Sequence, residues 1–118
     1  MTYGVTLEEA RAIAPVPGFA EVLRRGSLKV ELYRPRGHDP QAPHAQDELY
    51  VVVDGSGAYR CADTVRVFGP GDVLFAPAGT PHRFEAFTDD LEVWVVFYGP
   101  PGGERPGGCT VLGEEVRE

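Results

Sequence analysis

The sequence predicts an all-β domain, an antiparallel barrel or jelly roll, preceded by one short helix. Three observations predict it. Short stretches that alternate apolar and polar residues recur from Phe19 almost to the end. The 15 glycines and 11 prolines fall between these stretches as punctuation and do not cluster. Helix-forming sequence with a start signal occurs once, near the N-terminus.

That start signal is Thr6-Leu7-Glu8-Glu9, which has the form of a capping box, with Thr6 as N-cap and Glu9 three residues on. Ala10 to Ala14 continue a helix, and Pro15 and Pro17 end it. The helix is expected to cover one end of the barrel. Phe19–Leu23 is a weak strand, and Leu28–Tyr33 alternates, with Leu28, Val30 and Leu32 on one face. After a loop rich in Gly and Pro, from Pro35 to Pro43, Glu48–Val53 forms the next strand. Asp54-Gly55-Ser56-Gly57 is expected to close a tight hairpin into Ala58–Cys61. Further strands are Thr64–Phe68, Val73–Phe75 and His82–Phe87, separated by Gly69-Pro70-Gly71-Asp72 and by Pro77–Pro81. Leu91–Tyr98 is apolar on both faces, as in a central strand buried on two sides. Gly99–Gly108 is a loop, Cys109–Leu112 an edge strand, and Glu114–Glu118 a frayed tail. The expected organisation is one domain over 1–118: helix and lead-in over 1–18, barrel over 19–112, tail over 113–118.

Composition narrows the function. A chain of 118 residues buries roughly 65% of its unfolded surface, enough for one core. The net charge of -7 argues against a nucleic-acid partner, because phosphate binding needs a basic face. The apolar runs are too short to span a bilayer, and the first residues lack the apolar core of a signal peptide, so no membrane partner and a cytoplasmic location are expected. Cys61 and Cys109 do not make a disulfide framework.

The residues that carry chemistry lie in two stretches. His44 and Glu48 precede the apolar run that stops at Asp54-Gly55, and His82 sits in a second stretch of similar build, from Gly71 to Phe87. Two imidazoles and a carboxylate can form a facial triad on a divalent transition metal (Fe, Mn, Ni, Co or Zn), leaving positions open for substrate or dioxygen. His44 and Glu48 are an even number of residues apart, so in an extended chain both point to one face. Gln46, between them, is then a candidate fourth ligand or supporting group. On spacing alone, ordinary surface histidines beside prolines explain the pattern equally well.

The two stretches resemble the two motifs of the cupin superfamily. In the first motif, His-x-His is followed after three or four residues by Glu and after six more by Gly. His44, Glu48 and Gly55 fit that half. The second motif runs Gly, five residues, Pro-x-Gly, two residues, His, and Gly71, Pro77, Gly79 and His82 fall in register. Three positions depart. Ala42 stands where the first His falls, Gly37 meets the opening Gly only loosely, and Ala86 stands where the second motif closes with Asn. The resemblance implies a small single-domain cupin of jelly-roll type. It implies a metal site reduced to His44, Glu48 and His82, with Gln46 or, less readily, His38 able to fill the gap. It also implies a small-molecule ligand, oxygenase or isomerase chemistry, and pairing as a homodimer. A non-catalytic or metal-free cupin is the alternative that Ala42 leaves open.

Around the site, Tyr50 and Val52 share the parity of Glu48, and Phe84 that of His82. They line a pocket or simply pack the core. Trp94 is a further pocket candidate, with a subunit interface as the other possibility. Arg34, Arg36 and Arg83 lie near the site in sequence and can pair with an anionic substrate. Asp47 and Glu85 should point away from the ligand face and be exposed.

Overall fold

The computed structural model describes residues 2–105 and 108–116. Helix α1 spans Leu7–Ile13, and ten strands follow among the described residues. They are β1 Gly18–Arg25, β2 Leu28–Arg34, β3 Asp47–Asp54, β4 Gly57–Cys61, β5 Thr64–Phe68, β6 Val73–Ala76, β7 His82–Glu85, β8 Glu92–Tyr98, β9 Cys109–Val111 and β10 Glu114–Val116. The expected loop from Gly99 to Gly108 includes Pro106 and Gly107, and the expected tail ends in Arg117 and Glu118. These four lie outside the described residues, as does Met1 of the expected lead-in.

Two antiparallel sheets face each other, one of five strands in the order β1-β2-β8-β3-β6 and one of three in the order β5-β4-β7. The core lies between them. Tyr50 and Val52 from β3, Val93, Val95 and Phe97 from β8, and Phe84 from β7 project into it, so the alternation read in the sequence is the alternation of the pleat. This is the jelly-roll arrangement expected from the sequence.

A second apolar cluster lies on the outer face of the large sheet. Ala10 and Ala14 of the helical segment meet Leu32 there, with Val22 and Trp94 packed against them. The helix therefore covers the back of the five-stranded sheet and not a barrel end. Its start is the expected capping box: Thr6 Oγ1 accepts from Glu9 N–H, and Glu9 accepts from Thr6 N–H. Arg11 ties it down through ion pairs to Glu92 and Asp54.

This cluster inverts the polarity of β2. Leu28, Val30 and Leu32 do share a face, but Leu32 packs outward under the helix, while Glu31 and Tyr33 turn toward the interior and are buried. Two other expectations are corrected. Asp54-Gly55-Ser56-Gly57 does not close a hairpin, because β3 belongs to the five-stranded sheet and β4 to the three-stranded one. The segment turns the corner between sheets against residues 87–91. A Cβ on Gly55, whose φ is +90°, would stand 2.6 Å from the Leu91 Cα. The tail expected over 114–118 contributes β10, which pairs with β9.

Candidate metal centre

Each of the three candidate ligands is brought in by a different device. Glu48 is the second residue of β3, opposite Ala76 on one side and Phe97 on the other, and is 1% exposed. His82 opens β7 opposite Cys61, with its side chain 2% exposed. His44 lies in irregular chain before β3 and is 40% exposed at its side chain. The turn after β6 fixes it: Gly79 N–H donates to the His44 carbonyl at 2.7 Å. Gly79 has a φ of +75°, so the glycine of the second motif serves to aim a backbone donor at the first.

Asp47 completes this stitching. It accepts from Ala78 N–H (2.9 Å) and from Glu104 N–H (3.0 Å). The exposed Asp47 expected from the sequence is therefore buried. Its carboxylate is the anchor that holds two loops against the start of β3.

The ligand atoms of His44, Glu48 and His82 lie within 4.8 Å of one another. Oε1 of Glu48 is 3.5 Å from Nε2 of His44 and 3.5 Å from Nε2 of His82. Both Glu48 oxygens and His82 Nε2 are buried without a hydrogen-bond partner. The Nδ1–H of His82 donates to the Thr80 carbonyl at 2.8 Å, so the neutral ring presents a lone pair at Nε2. A lone pair thus faces a carboxylate in a buried pocket, an arrangement that calls for a proton or a cation between them. Burial alone would lower the His82 pKa. The Glu48 carboxylate and the Thr80 carbonyl outweigh it and raise the value above the usual imidazole range.

Aromatic rings close the pocket. The His44 ring meets Phe97 edge-on at 4.8 Å between centroids, and Tyr50 packs against Phe84 at 4.9 Å. Tyr50, Val52 and Phe84 all belong to the interior cluster, as their parity indicated. The Tyr50 hydroxyl donates to Gln41 Oε1, and Gln41 in turn donates to Asp39. Asp39 also accepts from Tyr33 Oη–H and from Phe84 N–H, which clamps the loop before His44 onto the barrel. A cleft of about 360 Å³ runs between Asp39–Pro43 and the side formed by Arg60 and Arg83, with His82 in its wall.

Several predicted site residues lie elsewhere. Gln46 is not on the ligand face: the chain bends at Ala45 and Gln46, which breaks the parity, and its Nε2 donates to the Ser27 and Gly99 carbonyls. His38 is exposed and outside the ligand cluster. Trp94 faces the helix on the outer side of β8 and does not line the pocket. Arg34 pairs with Glu92 and donates to the Arg11 and Ala14 carbonyls, and Arg36 donates to those of Pro35 and Leu91. Arg83 stands beside the site but shares Glu85 with Arg60, which leaves Glu85 half-buried. The reading of the sequence missed Lys29, Glu31 and Phe97, all near the trio. The parity Lys29-Glu31-Tyr33 was the available signal, and it was masked by the apolar residues between them.

A jelly roll that gathers two imidazoles and a carboxylate inside one end is the class of protein these features define. The chain belongs to the Cupin domain family, whose profile matches residues 29–98. It is 37% identical over 94 residues to an uncharacterized protein of Streptomyces coelicolor, covering 78% of this chain and 90% of that one. It is also 36% identical over 105 residues to a dTDP-4-dehydrorhamnose 3,5-epimerase of Streptomyces griseus, over 77% of this chain. That match spans only 51% of the epimerase, about half its length. Among solved structures, one from Ralstonia eutropha with the provisional name mannose-6-phosphate isomerase is similar at 34% identity. Its TM-score is 0.55, with 72% of this chain and 89% of that chain covered. Among the described residues, no helix is long and apolar enough to cross a membrane.

Proposed function

We propose that the protein is a metal-dependent isomerase or epimerase of a small carbonyl compound, with His44, Glu48 and His82 holding a divalent transition metal. The carrying observation is the set of orphaned atoms: two oxygens of Glu48 and Nε2 of His82, buried, unpartnered and converging with His44. Such a donor set suits Fe, Mn, Ni, Co or Zn and, with three protein ligands, leaves coordination positions for a substrate. A metal there supplies polarisation of a carbonyl oxygen. The chain's own residues do the rest: Thr80 fixes the His82 tautomer, Phe97 and Tyr50 exclude water, and the Asp39–Gln41 clamp keeps His44 in reach.

The same donor set serves dioxygen chemistry. The names of the two relatives favour the isomerase reading, since both denote proton shifts next to a carbonyl. The test is solvent exchange. Zinc-loaded protein in deuterium oxide is given a panel of small ketoses and aldoses, and deuterium at the carbon beside the carbonyl is followed by NMR. Exchange that His82→Ala abolishes is the expected result. Metal-loaded protein that exchanges no member of the panel contradicts the enzyme reading.

A further inference from the structure

The inward face of β2 carries a charged pair that the trio does not use. Lys29 lies opposite Phe97, which lies opposite Glu48; Glu31 lies opposite Val95, which lies opposite Tyr50. The pair thus sits across one strand from the ligand-bearing β3, on the same interior surface. Lys29 Nζ rests 4.7 Å above the Phe97 ring that packs in a T-shape against His44, and it stands 3.6 Å from the Glu31 carboxylate. Side-chain exposure is 30% for Lys29 and only 12% for Glu31.

Fold stability does not explain such a pair, because a desolvated ion pair returns little over apolar residues of the same size. Glu31 is also not a further ligand, as it falls outside the cluster whose ligand atoms lie within 4.8 Å of one another. It shares the interior surface with Glu48 across β8, and the charges of Glu48 and His44 both reach it. Burial raises its carboxyl pKa, Lys29 works the other way, the charge of Glu48 adds to the rise and His44 opposes it. A carboxylate in that setting is more basic than one in water, as suits a general base.

Resting on the isomerase reading above, we infer that Glu31 is the proton-transfer residue of this site and that the substrate is a small α-hydroxycarbonyl compound. The Glu31 carboxylate takes the proton from the carbon beside the carbonyl. The C–H electron pair becomes the new C=C bond, and the carbonyl π pair moves onto its oxygen. Return of the proton to the former carbonyl carbon, while the hydroxyl proton passes to the former carbonyl oxygen and the hydroxyl-bearing carbon becomes the new carbonyl, completes an isomerisation and restores the carboxylate. No oxidant or reductant is consumed.

The test compares wild type with Glu31→Gln. Zinc affinity is measured first and is expected to agree within a few-fold. Acetohydroxamate, a two-oxygen chelator that loses its N–O–H proton on binding, is then titrated into the zinc-loaded proteins in two buffers of different ionisation heat. Wild type is expected to release almost no net proton, because Glu31 takes it, and Glu31→Gln to release about one. Deuterium exchange into dihydroxyacetone is expected to fall at least about 100-fold in the variant. If Glu31→Gln fails to fold, Glu31→Asp keeps the carboxylate but shortens its reach, and should retain proton uptake while losing exchange. Equal proton release in wild type and Glu31→Gln, or loss of zinc from Glu31→Gln, overturns the assignment. Zinc binding without acetohydroxamate binding overturns this inference alone. Failure of zinc to bind wild type overturns the reading on which it rests.

Discussion

Oε1 of Glu48 and Nε2 of His82 stand 3.5 Å apart in the interior, each an acceptor when the imidazole is neutral, and neither has a hydrogen-bond donor. Two buried acceptors facing each other cost stability. A fold that keeps them has a use for them, and the site-specific expectations follow from this contact.

Replacing the carboxylate should relieve the cost. Glu48→Met removes two unsatisfied buried oxygens and fills a similar volume. At a pH well above the raised His82 pKa, where the ring is neutral, the metal-free variant is therefore expected to gain about 1–3 kcal/mol over metal-free wild type in urea denaturation. The same variant should bind no metal. A Glu48→Met protein less stable than metal-free wild type would mean that the carboxylate is structurally satisfied.

Asp47 carries a different expectation. Its carboxylate accepts from two backbone N–H groups, of Ala78 and Glu104, in two separate loops 31 and 57 residues further along the chain. Asp47→Ala strands both donors and should cost about 2–4 kcal/mol by chemical denaturation. It should also weaken metal binding, because the turn that holds His44 through Gly79 is released at Ala78. Unchanged metal affinity in a destabilised variant would separate the anchor from the site.

The pH dependence of metal binding follows from His82. Its folded-state pKa is raised, with burial opposing and Glu48 and the Thr80 carbonyl prevailing. The protonated ring cannot ligate, so metal and proton compete. Affinity should be level above that raised pKa and fall by up to about tenfold per pH unit below it. The downturn should begin at a higher pH than the ordinary imidazole value of about 6.5. Calorimetric titration across pH 5 to 8 checks this, and a profile that is flat throughout contradicts it.

Much of the fold could be read from the chain because the signals were local. Alternation over Thr64–Phe68, the Thr6–Glu9 capping box and the register of Gly71, Pro77, Gly79 and His82 each specify a structure within a few residues. What could not be read was which of two faces turns inward. Leu28, Val30 and Leu32 share a face, yet the helix covers that face, and the polar set containing Glu31 takes the interior. Trp94 was misplaced for the same reason, since parity separates it from Val93 and Val95 without saying which side holds the core. Gln46 and Asp47 failed differently. The bend at Ala45 and Gln46 interrupts the strand, and the partners of Asp47 are 31 and 57 residues away.

The central claim is that His44, Glu48 and His82 together bind one metal ion. Its most direct test is the metal content of protein dialysed against Mn, Fe, Co, Ni or Zn and then against buffer, measured by mass spectrometry of the elements. Wild type should retain about one equivalent of at least one of these ions, and His82→Ala, folded by circular dichroism, almost none. A wild type that retains none of the five, or a His82→Ala that retains as much as wild type, would contradict the claim.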